Sequence, residues 1–203
     1  SGIKPAAVCA GDIGYMLGPR LNAAGRMETA KAAFDLLVTK DLFKAGQLAQ
    51  YLDNRNKERQ VLTREMSASA EELATRADPN ALLLVAIHPD YSSGVVGLAA
   101  SRLVERFYRP AIVGQQGEEF TRCSCRSIPQ FHITHALEQC AELFEAFGGH
   151  AAAAGFTIRN ERVPELLARL NAIAQEQLGG LDLRPVIKVD LELPLNQLRP
   201  AMI

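Results

Sequence analysis

The chain has no tryptophan, only four histidines and four cysteines, and no surplus of charge of either sign. Each shortage excludes something. With 22 Lys and Arg against 23 Asp and Glu, the formal charge is −1, so bulk attraction to a polyanion is not available and any nucleic-acid contact has to be a local patch. Cys9, Cys123, Cys125 and Cys140 lack the paired spacing of a zinc site, and 203 residues that are 48% hydrophobic can fold without disulfides. The expectation is reduced thiols in a cytoplasmic protein. No apolar run approaches the roughly 18 residues of a membrane span, and the first residues are not a charged-then-apolar leader. The abrupt start and a finish inside an apparent strand read as a piece of a longer protein.

What is present divides into three parts. Glu28 to Val38 has a short helical pattern. From Leu42 to about Ala77 there is no proline and one glycine, with apolar or small residues at Leu42, Ala45, Leu48, Ala49, Leu52, Leu62 and Met66. Unbroken, this predicts one helix roughly 50 Å long, a length suited to connecting two domains. "ADPN" ends it. Beyond it "ALLLVAI" reads as a buried strand and "SGVVGLAASRLVERF" as a helix. "RPAIVG" and "EEFTRCSC" follow as strands, "ITHALEQCAELFEAF" as a helix, "AGFTIRN" as a strand and "VPELLARLNAIAQEQL" as a last helix. The fold class is α/β, a mixed sheet flanked by helices, with the alternating "VIKVDLEL" starting a further β element.

Three clusters depart from this pattern. "LGPRLNAAGRM" sets Arg20 and Arg26 around the low-bulk Asn22-Ala-Ala-Gly segment, which suits a phosphate or, without a ligand, a turn between helices. "CSCRSI" places Ser124, Arg126 and Ser127 within four residues. Strand alternation turns Ser124 and Arg126 to one face, where they either hold a phosphate or form a polar strand end. "FGGHAAAAGFTI" surrounds His150 with almost no side-chain bulk, and Gly148 and Gly149 after Phe147 read as a helix C-cap. Cys123 and Cys125, as C-x-C without further ligands, read as incidental rather than metal-binding. "LDNRNKERQ" on the long helix is a basic strip diluted by Asp53 and Glu58, and reads as a solvated face.

In this order the clusters resemble the RecJ family of single-strand-specific 5′→3′ DNA exonucleases, in the DHH phosphoesterase superfamily, from about residue 13 to 200. Residues 148 to 155 match that family's Gly-Gly-His-x-x-Ala-Ala-Gly signature. The resemblance implies four regions: 1–40 as the end of a DHH domain, 41–78 as the connecting helix, 79–182 as a DHH-associated domain, and 183–203 as the beginning of an oligonucleotide-binding β-barrel. It implies two-metal hydrolysis with Mn2+ or Mg2+ in the full-length enzyme, acting in DNA repair and recombination on single strands with a 5′ end. The implied partners are a single-strand-binding protein and a recombination helicase, and a monomer is expected. His88, His132, His135 and His150 form no Asp-His-His run, so this stretch is expected to bind no metal and to be inactive alone.

By the same resemblance Ser124 and Arg126 hold the terminal 5′ phosphate, with Arg26 or Arg20 assisting, and His150 contacts the scissile phosphate. Ser127, Gly148 and Gly149 belong to the same phosphate-binding set. Tyr91 and Ser92 stand where family members often have Trp-His, which puts that histidine's usual role in question here. The competing readings are an oligoribonuclease or small phosphonucleotide phosphatase of the same superfamily, and a noncatalytic nucleic-acid-binding module.

Overall fold

The computed structural model describes residues 3–76, 78–194, 197 and 199. The chain opens with helices. A π-helical turn, Asp12–Leu17, runs into α1 (Gly18–Met27), with Pro19 just past the junction. After α2 (Lys31–Val38) comes α3 (Leu42–Arg76), 35 residues without a break. Asp41 caps it: its carboxylate accepts from the Phe43 and Lys44 amides at 2.9 and 3.2 Å. Ala77, at the expected end of the helix, lies outside the described residues.

The remainder is a five-stranded sheet in the order β1-β2-β3-β5-β4. β1 (Leu84–His88) and β2 (Ala111–Gln116) are parallel and joined by the crossover helix α4 (Val96–Phe107). β3 (Phe120–Arg126), β4 (Phe144–His150) and β5 (Ala153–Arg159) are antiparallel to their neighbours, so the sheet is mixed as expected. α5 (Ile133–Glu138) and α6 (Val163–Leu178) complete the domain.

Strand alternation gives the sheet two faces with different fates. Ile112, Cys123, Cys125, Phe156 and Ile158 point to one face and are buried against Ile133 and Leu137 of α5 and Leu166 and Leu170 of α6. On the other face Leu84, Ala86, Ala111 and Val113 pack under Ala99, Ala100 and Leu103 of α4 and Met66, Ala70 and Ala74 of α3. Ala70 and Ala74, one turn apart, let α3 lie close to β1 beside α4. This second cover reaches only as far as β3. The β5 and β4 positions that share its face, Gly148 and His150 among them, are open or only partly covered.

One expectation is overturned. The helix read through Phe147 stops at Glu138; a 3-10 turn (Ala141–Leu143) follows, and residues 144–150 form β4 instead. Leu137, Cys140 and Leu143 are buried at helical spacing, which imitated a longer helix. Pairing with β5 decides the matter, with the Phe144 and Phe156 rings 5.1 Å apart. Gly148 and Gly149 are therefore strand residues, not a C-cap. The alternating residues 186–193 form no strand: Val186, Ile187, Val189 and Leu191 are exposed, with no ladder partner among the described residues. Most of the "LNQLRPAMI" tail lies outside the described residues. No described helix is long and apolar enough to cross a membrane.

Candidate functional site

The register of the sheet assembles the site. Arg126 stands opposite Ala153, and Ala153 opposite His150; one step along, Ser124 faces Gly155 and Gly155 faces Gly148. Residues directly opposite share a face. At about 4.8 Å per strand, Arg126 and Ser124 lie some 10 Å across the sheet from His150, with only Ala153, Gly155 and Gly148 between them. The result is a strip of nearly bare backbone with cationic and hydroxyl groups along one side and an imidazole along the other. Arg122 points to the same face as Ser124 and is exposed. Strand alternation alone would have found it.

The side of the strip nearest α4 is built by two glycines. A Cβ on Gly97, in the first turn of α4, would sit 3.0 Å from Arg126 Nη2 and 3.5 Å from Ser124 Oγ. A Cβ on Gly94 would meet the Arg26 carbonyl oxygen at 1.9 Å, and Arg26 Nη1 donates to the Gly94 carbonyl at 3.2 Å. These two close approaches link the end of α1, the start of α4 and β3. Nothing local in the sequence signals this, because the contact spans 68 residues. Arg126 Nη1 donates to the Cys125 carbonyl at 2.8 Å, and neither Arg26, Arg122 nor Arg126 forms an ion pair among the described residues. Their charge is uncompensated where they face the strip.

On the far side, the exposed His150 ends β4, and its carbonyl accepts from Thr134 Oγ1 at 2.8 Å. The turn after it is fixed by Ile133 N to Ala151 O, 3.1 Å, and Ser127 N to Ala152 O, 2.9 Å. α5 is itself capped by His132, whose Nδ1 accepts from the His135 amide at 3.1 Å. Thr134 was not singled out from sequence. The two glycines before His150 differ. A Cβ on Gly149, at φ 155°, would lie 2.4 Å from the Ala153 oxygen and Ala154 Cα, so β5 itself demands glycine. At Gly148 a Cβ would meet nothing within 4 Å.

Several predicted residues have other work. Arg20 Nε pairs with Asp53 at 2.8 Å and its Nη1 donates to the Met16 carbonyl at 2.6 Å, tying α1 to α3. Lys57, then Arg20, hold the Asp53 carboxyl below the usual carboxylate range. The "NAAG" segment is helix rather than turn, and Ala23 and Ala24 are small because they are buried. Asn22 is exposed on α1, one turn before Arg26. Ser127 Oγ donates to the Phe131 carbonyl at 2.6 Å, which commits its hydrogen. Tyr91 is buried, with its hydroxyl 3.0 Å from Ser69 Oγ, so it serves the core. Burial pushes the Cys125 thiol up to about 12, and the Cys123 thiol well above its ordinary value.

Among the described residues no group of three His, Cys, Asp or Glu side chains is placed to hold a metal ion. They do not fit the divalent ions that the resemblance implies, and no hydrolytic step is assigned to them.

Residues 80–176 match the DHHA1 domain. The single-stranded-DNA-specific exonuclease RecJ of Bacillus subtilis (strain 168) is 43% identical over 181 residues, covering 88% of this chain and 23% of that protein. The crystal structure of RecJ from Thermus thermophilus in complex with Mg2+ matches with a TM-score of 0.74 and 33% identity, over 81% of this chain and 26% of that one. The corresponding Mn2+ complex matches with the same TM-score and identity, over 81% of this chain and 24% of that one. The chain thus spans about a quarter of the length of these relatives. With a DHHA1 domain at its centre and this likeness extending to both sides of it, the chain belongs to the RecJ family of the DHH superfamily.

Proposed function

We propose that this chain forms the substrate-holding wall of a 5′→3′ exonuclease acting on single-stranded DNA in repair and recombination in the cytoplasm. In this reading Mn2+ or Mg2+ is held by residues outside this chain, and a single-strand-binding protein and a recombination helicase are its partners. The observation that carries the reading is the bare strip between Arg126 and His150. A phosphodiester backbone needs close approach and cationic donors at intervals rather than a deep apolar pocket. Ser124 and Arg126, with Arg26 converging from α1, hold the terminal 5′ phosphate. Gly148, Gly155 and Ala153 let the strand lie against the sheet, and His150 meets the phosphate to be cut. The chain's own contribution is binding and orientation; Thr134 fixes the backbone that presents His150.

Charge-assisted hydrogen bonds contribute about 1.5 to 3 kcal/mol each, so the loss of one is visible in rate. In the intact exonuclease, Arg126→Ala is expected to slow degradation of 5′-phosphorylated strands by about tenfold or more and to leave 5′-hydroxyl strands far less affected. His150→Ala is expected to slow both alike. Rates on matched oligonucleotides measure the two roles together, and equal losses for Arg126→Ala on both ends would overturn the end-binding assignment.

A further inference from the structure

A second feature lies on the other flank of α4. At about 100° per residue, Arg106 falls on the side of that helix opposite Gly97, away from the open strip. There α3 and α4 border a groove of about 780 Å³, lined by Arg59, Thr63, Arg64 and Ser67 of α3 and by Arg102 and Arg106 of α4. Its two carboxylates are already engaged: Glu71 pairs with Arg106 at 3.0 Å and Glu105 with Arg102 at 3.8 Å. Arg59 and Arg64 have no carboxylate partner among the described residues. Arg59 Nη2 donates to Asn56 Oδ1 at 3.0 Å, but Arg59 Nε and Ser67 Oγ are buried without any partner. Burial, then the neighbouring charge of Arg26, lower the Arg59 pKa from its ordinary value. The groove has unspent donors and cations.

We infer that this groove is a second anion site, which takes the sugar–phosphate backbone of a single strand along a path separate from the sheet face. Three observations favour that occupant over an acidic peptide. The cations recur along the groove rather than converging on one focus. From residue 59 to 71, α3 advances about 18 Å, enough for several successive phosphates. Among the lining side chains only Ala68 and Leu103 are apolar and none is aromatic, so a peptide would find no clustered anchor site. The inference rests on the proposed reading only for the identity of the polyanion.

The test is equilibrium binding of a fluorescent oligothymidylate of about 10 nucleotides to the 203-residue chain at stepped salt. Arg64 and Arg102 are exposed, so Arg64→Glu with Arg102→Glu is compatible with folding. This pair is expected to lower affinity at least about tenfold for 5′-phosphate and 5′-hydroxyl strands alike. It should also make the log affinity–log salt slope shallower by about 1.4, two contacts at about 0.7 each. The corresponding Gln pair gives the same slope change without added repulsion. Arg126→Ala should instead lower affinity mainly for the phosphorylated strand. Failure of the wild-type chain to bind at low salt overturns the groove inference, as does an unchanged slope in both pairs or an oligoglutamate peptide that competes as well as the oligonucleotide. An end-blind Arg126→Ala with an affected groove pair sinks the strip reading and leaves the groove standing.

Discussion

Arg20 and Arg26 are six positions apart on one short helix, which at about 100° per residue places them on different flanks. One meets Asp53 and the other Gly94. Sequence could propose both as phosphate ligands but could not separate them, because the deciding partners lie 33 and 68 residues away. Ser124 and Arg126 were legible for the opposite reason: a shared face follows from strand alternation alone. The same alternation buries Cys123 and Cys125, with consequences for their chemistry. Iodoacetamide at neutral pH is expected to label the exposed Cys9 and to spare Cys123 and Cys125 in the folded chain, as peptide mass spectrometry would read. The sign of the pH effect on stability follows. Below about pH 8.5 both states keep these thiols protonated; above it the unfolded chain ionises, whereas the folded Cys125 stays protonated to about 12. Stability should therefore fall as pH rises across that window, seen as a lower urea midpoint at alkaline than at neutral pH; a Cys125→Ala variant should show a smaller fall.

β4 is the element that sequence pattern misread. Its phenylalanines, Phe144 and Phe147, continue a helical spacing begun at Ile133, and only the long-range pairing with β5 makes it a strand. α3 was legible because its signal is local: uninterrupted helix formers and a capping Asp41. Within β4 the two adjacent glycines should respond differently to the same substitution. Gly149→Ala forces a Cβ to within 2.4 Å of the β5 backbone at a φ of 155° and should cost about 2 kcal/mol or more in chemical denaturation. Gly148→Ala projects a methyl into open space and should change stability by less than about 1 kcal/mol. If the strip carries a strand, Gly148→Ala should nevertheless weaken oligonucleotide binding, because the methyl stands where a backbone approaches. Equal stability losses for the two would mean that the β4–β5 register differs from the one described.

Across the whole molecule the apolar contacts are unevenly distributed. The sheet is sandwiched by two substantial cores, whereas the helical segment of α1, α2 and the first half of α3 is held by Ala24, Ala33 and Leu52. Phe34, Leu37, Leu42 and Phe43 in the same region are exposed. Leu52 is the one large fully buried side chain in that small cluster, with Leu21, Leu36 and Tyr51 partly buried against it, and it sits beneath the helix that carries Arg26. Leu→Ala in a core typically costs about 2 to 5 kcal/mol, here concentrated on a segment with little else to hold it. Leu52→Ala is therefore expected to open α1 and α2 locally without unfolding the sheet. Hydrogen exchange on the 203-residue chain would show faster exchange across α1 and α2, with β3 and β5 protected as before. On the proposed reading a functional consequence follows: once α1 is loose, the contact of Arg26 with Gly94 is lost, and with it the third donor proposed for the terminal phosphate. Preference for a 5′-phosphorylated over a 5′-hydroxyl oligonucleotide should fall in Leu52→Ala, and likewise in Arg26→Ala, although Leu52 is buried. A uniform loss of protection through β3 and β5 would show that the helical segment and the sheet unfold as one unit, and that Arg26 is not seated independently.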